Sequence, residues 1–252
     1  MRMKRKLSER YELIDTLRGF WLLSMAVYHF LYDIYVALGI DPKWAQLPAV
    51  ILWERFICVS FIAISGVSLH FSKHPYRRGI ILNLCGLLIT AVTLFAVPGQ
   101  AVWFGVLNLI GCSMMICAAL RPLLDKLEPV FGTVASVLLF GVFYGVPTRW
   151  IGFFDLKLIR LPDFFYQFKY VAFLGFPDSG FRSSDYFPII TWIFVYSAGY
   201  FLWGIIEKYQ KQELFRRGLR PLSFIGRHSL IFYLAHQPVL YGAAYLIFHL
   251  GG

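Results

Sequence analysis

Apolar residues run along this chain in long blocks rather than in alternation. Seven blocks, at 14–36, 47–71, 79–97, 102–120, 130–147, 187–206 and 227–249, approach or exceed the roughly 20 residues a helix needs to cross a bilayer. Turn signals at Asp41-Pro42, His74-Pro75, Pro98-Gly99 and Pro221 separate several of them. The pattern predicts an all-α protein: a polytopic integral membrane helical bundle of about seven transmembrane helices. No internal repeat is visible. The one long connection, 148–186, is dense in aromatic residues, among them Trp150, Phe153, Phe154, Phe164, Phe165, Tyr166, Phe168, Tyr170, Phe173 and Phe176. Amphipathic rings settle at headgroup depth, so this segment is expected to lie on the membrane. It is either an interfacial anchor or a lid over a cavity.

Composition agrees with membrane burial. Only 15% of the 252 residues are charged and 58% are hydrophobic, with a mean hydropathy of +0.63. One membrane domain over 1–252 leaves no room for a second globular domain. The formal net charge of +10 raises nucleic acid as a partner, but the positions of the charges argue against it. Arg2, Lys4, Arg5, Lys6 and Arg10 precede the first block. Lys73, Arg77 and Arg78 follow the second, Arg121 and Lys126 the fourth, and Lys208, Lys211, Arg216, Arg217, Arg220 and Arg227 the sixth. Sixteen of the 24 Lys and Arg residues thus fall on one side of the expected membrane. Basic residues mark the cytoplasmic side, which predicts an N-in, C-out topology with 148–186 outside. Cys58, Cys85, Cys112 and Cys117 lie inside apolar blocks at neither metal-ligand nor disulfide spacing, so they read as small hydrophobes, and no metal is expected. The first block is too long and too charged for a cleavable signal peptide.

Ionisable groups inside spans are costly and mark wet or functional interiors. The first block carries Asp15, Arg18, His29 and Asp33. Arg18 and His29 share a helix face about 16 Å apart along the axis. His29 and Asp33, at i and i+4, can touch. Glu54, Arg55, Asn108 and His236 are expected at a similar depth. For each of these residues the plain alternative is mutual structural satisfaction. A histidine oriented by a carboxylate is also a general base.

The chain also carries a family likeness. Ile14-Asp15-Thr16-Leu17-Arg18-Gly19 and Tyr28-His29-Phe30-Leu31-Tyr32-Asp33 open it. Ile64-Ser65-Gly66-Val67-Ser68 and Gly105-Val106-Leu107-Asn108-Leu109-Ile110-Gly111 continue it, followed by Asp185-Tyr186-Phe187-Pro188, Arg227-His228-Ser229-Leu230 and Tyr233-Leu234-Ala235-His236-Gln237-Pro238. Taken in order, these motifs resemble bacterial members of the heparan-alpha-glucosaminide N-acetyltransferase catalytic-domain family. Arg18-x10-His29 is also similar to a motif of membrane O-acyltransferases that modify surface glycans. The resemblance implies a multi-pass acyltransferase of the bacterial cytoplasmic membrane. It implies acetyl-CoA, or another acyl-CoA, as co-substrate. It makes His29 catalytic and gives Arg18 a structural or cofactor-side role. This chain has no histidine between His29 and His70, which concentrates the base on His29.

On this reading Asp33 supports His29, and Asn108 or Arg55 donates to the oxyanion, with Glu54 and His236 on the substrate side. Arg18, Arg217, Arg227 and His228 stand near the CoA phosphates. Arginine suits phosphate through its planar fork. The acceptor is a glycan or lipid-linked hydroxyl or amine entering from outside. Partners are therefore acyl-CoA, that acceptor and the bilayer; a homo-oligomer is left open. The rival class is a small-molecule or proton-coupled transporter. A scaffold would not need the His–Asp pair.

Overall fold

A computed structural model describes residues 10–250; Arg2, Lys4, Arg5 and Lys6 of the N-terminal charge cluster lie outside them. Eight α-helices dominate: α1 (Glu12–Tyr32), α2 (Pro48–Ser68), α3 (Pro75–Ala96), α4 (Val106–Leu124), α5 (Pro129–Phe143), α6 (Ile189–Lys208), α7 (Arg220–Arg227) and α8 (Ser229–Leu250). Among the described residues seven helices, all but α7, are long and apolar enough to cross a membrane. Each overlaps one of the seven expected blocks, with ends shifted by a few residues. The chain is an all-α, multi-pass membrane protein. Its lipid-facing character shows on α3, where Ile80, Leu84, Leu87, Leu88 and Phe95 are exposed, Phe95 at 89%. A soluble monomer rarely shows so continuous an apolar surface.

Helix ends follow local chemistry. Pro75 and Pro129 open α3 and α5, where the missing N–H costs nothing. Glu128 accepts from the Phe131 N–H at 2.7 Å and so caps α5. Between helices, glycines let backbones approach, as is usual in membranes. Gly66 of α2 sits against the Tyr196 carbonyl of α6, and Gly199 of α6 sits against the Ala63 carbonyl of α2. A methyl group at either position would run into backbone.

The chain forms two compact units. One holds the chain up to Phe61 and from Ile206 onward; the other is Ile62–Ile205. In the second unit α3 and α4 pack along Gly79, Gly86 and Gly111, and the long connection before α6 is more ordered than its sequence suggests. It contains an antiparallel hairpin, β1 (Trp150–Phe153) with β2 (Leu156–Arg160), bulged between Ile151 and Gly152. Tyr166 is buried there and donates to the Val146 carbonyl. Burial pushes its phenol up to about 12, against the opposing pull of Arg149, so it remains a neutral donor. Arg149 also pairs with Asp163 at 2.7 Å. Other rings of the segment stay exposed, including Phe164, Phe165 and Tyr170.

The first unit contains the element that the apolar pattern misses. α7 lies where only a basic loop was expected. Both of its ends are tied to α1. Thr16 Oγ1 accepts from the Leu219 N–H at 3.0 Å at the start, and Arg18 Nη1 donates to the Gly226 carbonyl at 3.3 Å at the end. These bonds satisfy backbone groups that a short helix leaves orphaned. Between them Thr16 and Ser223 share a buried hydrogen bond of 2.8 Å. Gly19 seats against the Leu222 carbonyl and Gly226 against the Asp15 carbonyl.

Candidate active site

The first unit brings four polar side chains of α1 and α8 together. The His29 and His236 rings are centred 5.1 Å apart with their planes at 54°. Asp33 is 2% exposed and accepts from Gln237 Nε2 at 3.0 and 3.2 Å, one contact to each carboxylate oxygen. His236 Nδ1 lies 2.5 Å from the Tyr233 carbonyl, which only accepts, so Nδ1 carries the hydrogen. In the neutral ring this leaves Nε2 as an acceptor. Nε2 is buried and has no hydrogen-bond partner; the same holds for Gln237 Oε1. Buried polar atoms without partners are few in folded proteins and call for an explanation.

At this level α1 leaves α-helical geometry and α8 carries a proline. α1 continues as a π-helix over Asp33–Ala37, beginning at the carboxylate of the site. Single π turns within helices are frequently found at functional sites. α8 carries Pro238 directly after Gln237, which withholds one N–H from the helical ladder.

Among the described residues no hydrogen bond or ion pair joins His29 to Asp33. Spacing i, i+4 makes two side chains neighbours but does not choose their partners. Here each turns to α8: His29 to the face of His236, Asp33 to the donor amide of Gln237. A buried carboxyl needs a hydrogen-bond partner, and the Gln237 amide supplies it.

Around His29 the unit is aromatic. Tyr28 lies edge-on to His29 at 5.5 Å and to Trp53 at 5.6 Å; Trp44 lies 5.8 Å from Tyr28 and stacks on Tyr35 at 5.5 Å. Trp53 Nε1 donates to Ser24 Oγ at 2.9 Å and joins α2 to α1. Glu54 and Arg55 follow on α2, within electrostatic reach of Tyr28; Glu54 is half-buried and Arg55 exposed.

The remaining expected residues stand elsewhere. Asn108 belongs to the other unit, where its amide contacts the Asn83 carbonyl and Asn83 Oδ1 at 3.3 and 3.4 Å. Asn83 in turn donates to the Gly79 carbonyl at 2.9 Å. The Asn108 amide is thus spent joining α4 to α3, because an amide in apolar surroundings takes the nearest partner. Arg18 pairs with Asp15 at 3.0 Å, and Asp15 also holds Arg10 at 2.7 Å. With its bond to Gly226, Arg18 is a clasp between α1 and α7. Arg227 reaches Glu12 at 3.3 Å; His228 lies on Phe224, and Arg217 is exposed.

Sequence reasoning did not place Gln237 among the site residues, although it lies in one of the motifs quoted for the family likeness. Its signal was adjacency to a histidine deep in a span. Asp185 was likewise unassigned; its carboxylate accepts from the Val106 N–H at 3.2 Å and caps α4.

Residues 10–238 match the family described as heparan-alpha-glucosaminide N-acetyltransferase, catalytic. No curated protein and no solved structure matches the chain.

Proposed function

The chain belongs to the heparan-alpha-glucosaminide N-acetyltransferase catalytic family and so is a transmembrane acetyltransferase, and from that premise we propose that it moves an acetyl group from cytoplasmic acetyl-CoA to a hydroxyl or amine of a glycan or lipid-linked acceptor, with His29 as general base. The observation that carries the reading is the α1–α8 cluster. A histidine of a membrane span faces a second histidine whose buried acceptor nitrogen is unused, beside a carboxylate held by an amide.

The chemistry is a single displacement. The acceptor's oxygen or nitrogen attacks the thioester carbonyl, and His29 takes the acceptor's proton. The carbon–sulfur bond then breaks, and the proton passes from His29 to the departing thiolate. The products are the acetylated acceptor and CoA thiol. Proton transfer of this kind is worth about 10²–10⁴ in rate. Transfer through a covalent acetyl-histidine fits the same residues; direct transfer needs fewer steps.

The basic segment around α7 suits the phosphates of CoA, through Arg217, Arg227 and His228. Arg18 contributes by holding α7 on α1 rather than by offering its guanidinium outright. This assignment goes with an N-in, C-out topology, which the Lys and Arg distribution supports. In a bacterial cell the protein would then sit in the cytoplasmic membrane.

Calorimetry on purified protein with CoA and a non-hydrolysable acetyl-CoA analogue, at two salt concentrations, tests the reading. Binding that weakens as salt rises is expected, because phosphate contacts are screened. No binding by folded protein would overturn it. A cysteine introduced at Ser179 tests the topology. It should react with an impermeant reagent on intact cells, and reaction only after permeabilisation would reverse the assignment.

A further inference from the structure

The acetyltransferase reading needs something to orient the base, and the Asp33 carboxylate is hydrogen-bonded to Gln237 rather than to His29. We propose that His236 is the positioning residue of His29. The Tyr233 carbonyl holds the hydrogen of His236 on Nδ1, at 2.5 Å. The acceptor nitrogen Nε2 is thereby left buried and without a partner, on a ring centred 5.1 Å from His29. At that separation the single N–H of a neutral His29 ring, turned toward His236, can donate to Nε2. That bond selects a single tautomer of His29. One nitrogen donates to His236, and the other is a bare acceptor turned to the acceptor substrate. When His29 takes the proton, the same bond stabilises the imidazolium that forms. This is the role a carboxylate plays in a Ser-His-Asp triad, filled here by a second imidazole.

Asp33 and Gln237 serve this arrangement indirectly. Gln237 follows His236 in sequence, and its amide is anchored on the Asp33 carboxylate. The anchor fixes α8 against α1 at the level of the rings. The order of dependence is therefore carboxylate to amide, amide to helix register, register to His236, and His236 to His29.

The inference rests on the acetyltransferase reading only for the role of His29 as base, and the test separates the two. Full-length protein with ¹⁵N-labelled histidine is purified in lipid nanodiscs, and His29→Gln and His236→Gln variants assign the resonances. The wild type should show His236 protonated at Nδ1 alone and His29 in one tautomer. A wild-type His236 protonated at Nε2 overturns the proposal without any variant being needed. In His236→Leu the His29 signal should become a mixture of tautomers. In His236→Gln, whose amide oxygen accepts as Nε2 does, the single tautomer should persist. Identical His29 spectra in wild type and His236→Leu also overturn it.

With acetyl-CoA, His236→Leu should lose more than about tenfold in kcat with KM for acetyl-CoA little changed, a part of the roughly 10²–10⁴ that general-base catalysis contributes. His236→Gln should recover most of that loss. A rise in KM alone, or no rescue by glutamine, counts against positioning. If the tautomer results hold while wild-type protein shows no acetyl transfer, the histidine pairing stands and only the acetyltransferase reading fails.

Discussion

Two junctions in this molecule place polar side chains inside membrane spans, and they resolve the cost in opposite ways. Between α3 and α4, Asn83 and Asn108 bond to each other and to backbone, and Cys112 Sγ adds a contact to Asn83 Oδ1 at 3.4 Å. Gly79, Gly86 and Gly111 close around them so tightly that an added methyl would strike a neighbour. Between α1 and α8, by contrast, His236 Nε2 and Gln237 Oε1 are buried without partners, and at that level α1 turns into a π-helix while α8 carries Pro238. Satisfied groups in a close-packed seam act as glue. Unsatisfied groups beside irregular backbone retain capacity for a substrate or a proton, and stability is given up to keep it. The difference between a structural amide and a reactive imidazole therefore lies less in residue type than in whether every lone pair is used.

The largest test of that contrast is His29→Ala. Acetyl transfer should fall more than about a hundredfold, while the thermal midpoint changes little. Near-normal turnover would place the chemistry elsewhere. The mirror experiment is Gly86→Leu in the other seam. Its side chain would enter the space of the Asn108 amide, and overpacking of this kind costs about 1–3 kcal/mol. The thermal midpoint should drop, yet activity per folded molecule should be kept. A selective loss of activity at full stability would bring Asn108 back to the site.

Gln237→Leu sharpens the comparison within the first junction. It removes the amide donor from a buried carboxylate, and a group left in that state costs about 1–3 kcal/mol. Both stability and kcat should fall, because the same contact holds α8 in register. Asp33→Asn keeps an acceptor for the Gln237 amide and should be milder in both measures. Equal damage from Asp33→Asn and His29→Ala would restore Asp33 as a direct partner of the base. The smallest effect is expected of Arg217→Ala. Its side chain is exposed, so CoA affinity in calorimetry should fall only a few-fold, with a weaker dependence on salt and unchanged kcat.

The seven spans were legible because crossing a bilayer demands long apolar runs, and length and hydropathy are properties of sequence alone. α7 was not legible. It is only eight residues long, and the face it turns to α1 is built from Ser223 and Gly226, which announce close packing rather than burial of apolar bulk. The hairpin in the long aromatic segment was hidden by a similar ambiguity, since aromatic density alone suggested a surface anchor and not a paired strand.

The site divides along the same line. His29, Asp33 and His236 stood out by sequence because an ionisable group within an apolar span is conspicuous wherever it points. The pairing among them did not, because the i, i+4 rule sees only one helix, whereas the partners that captured His29 and Asp33 arrive more than 200 residues later on α8. Arg18 shows the same division. Its place on the His29 face and its i, i+3 pairing with Asp15 followed from helical periodicity, but its bond to the Gly226 carbonyl depended on a short helix brought in from the far end of the chain. Sequence alone determined which residues must be accommodated inside the membrane. Tertiary structure decided which of them were neutralised, because hydrogen bonds go to the nearest suitable group in space, and proximity across helices is not written in local periodicity.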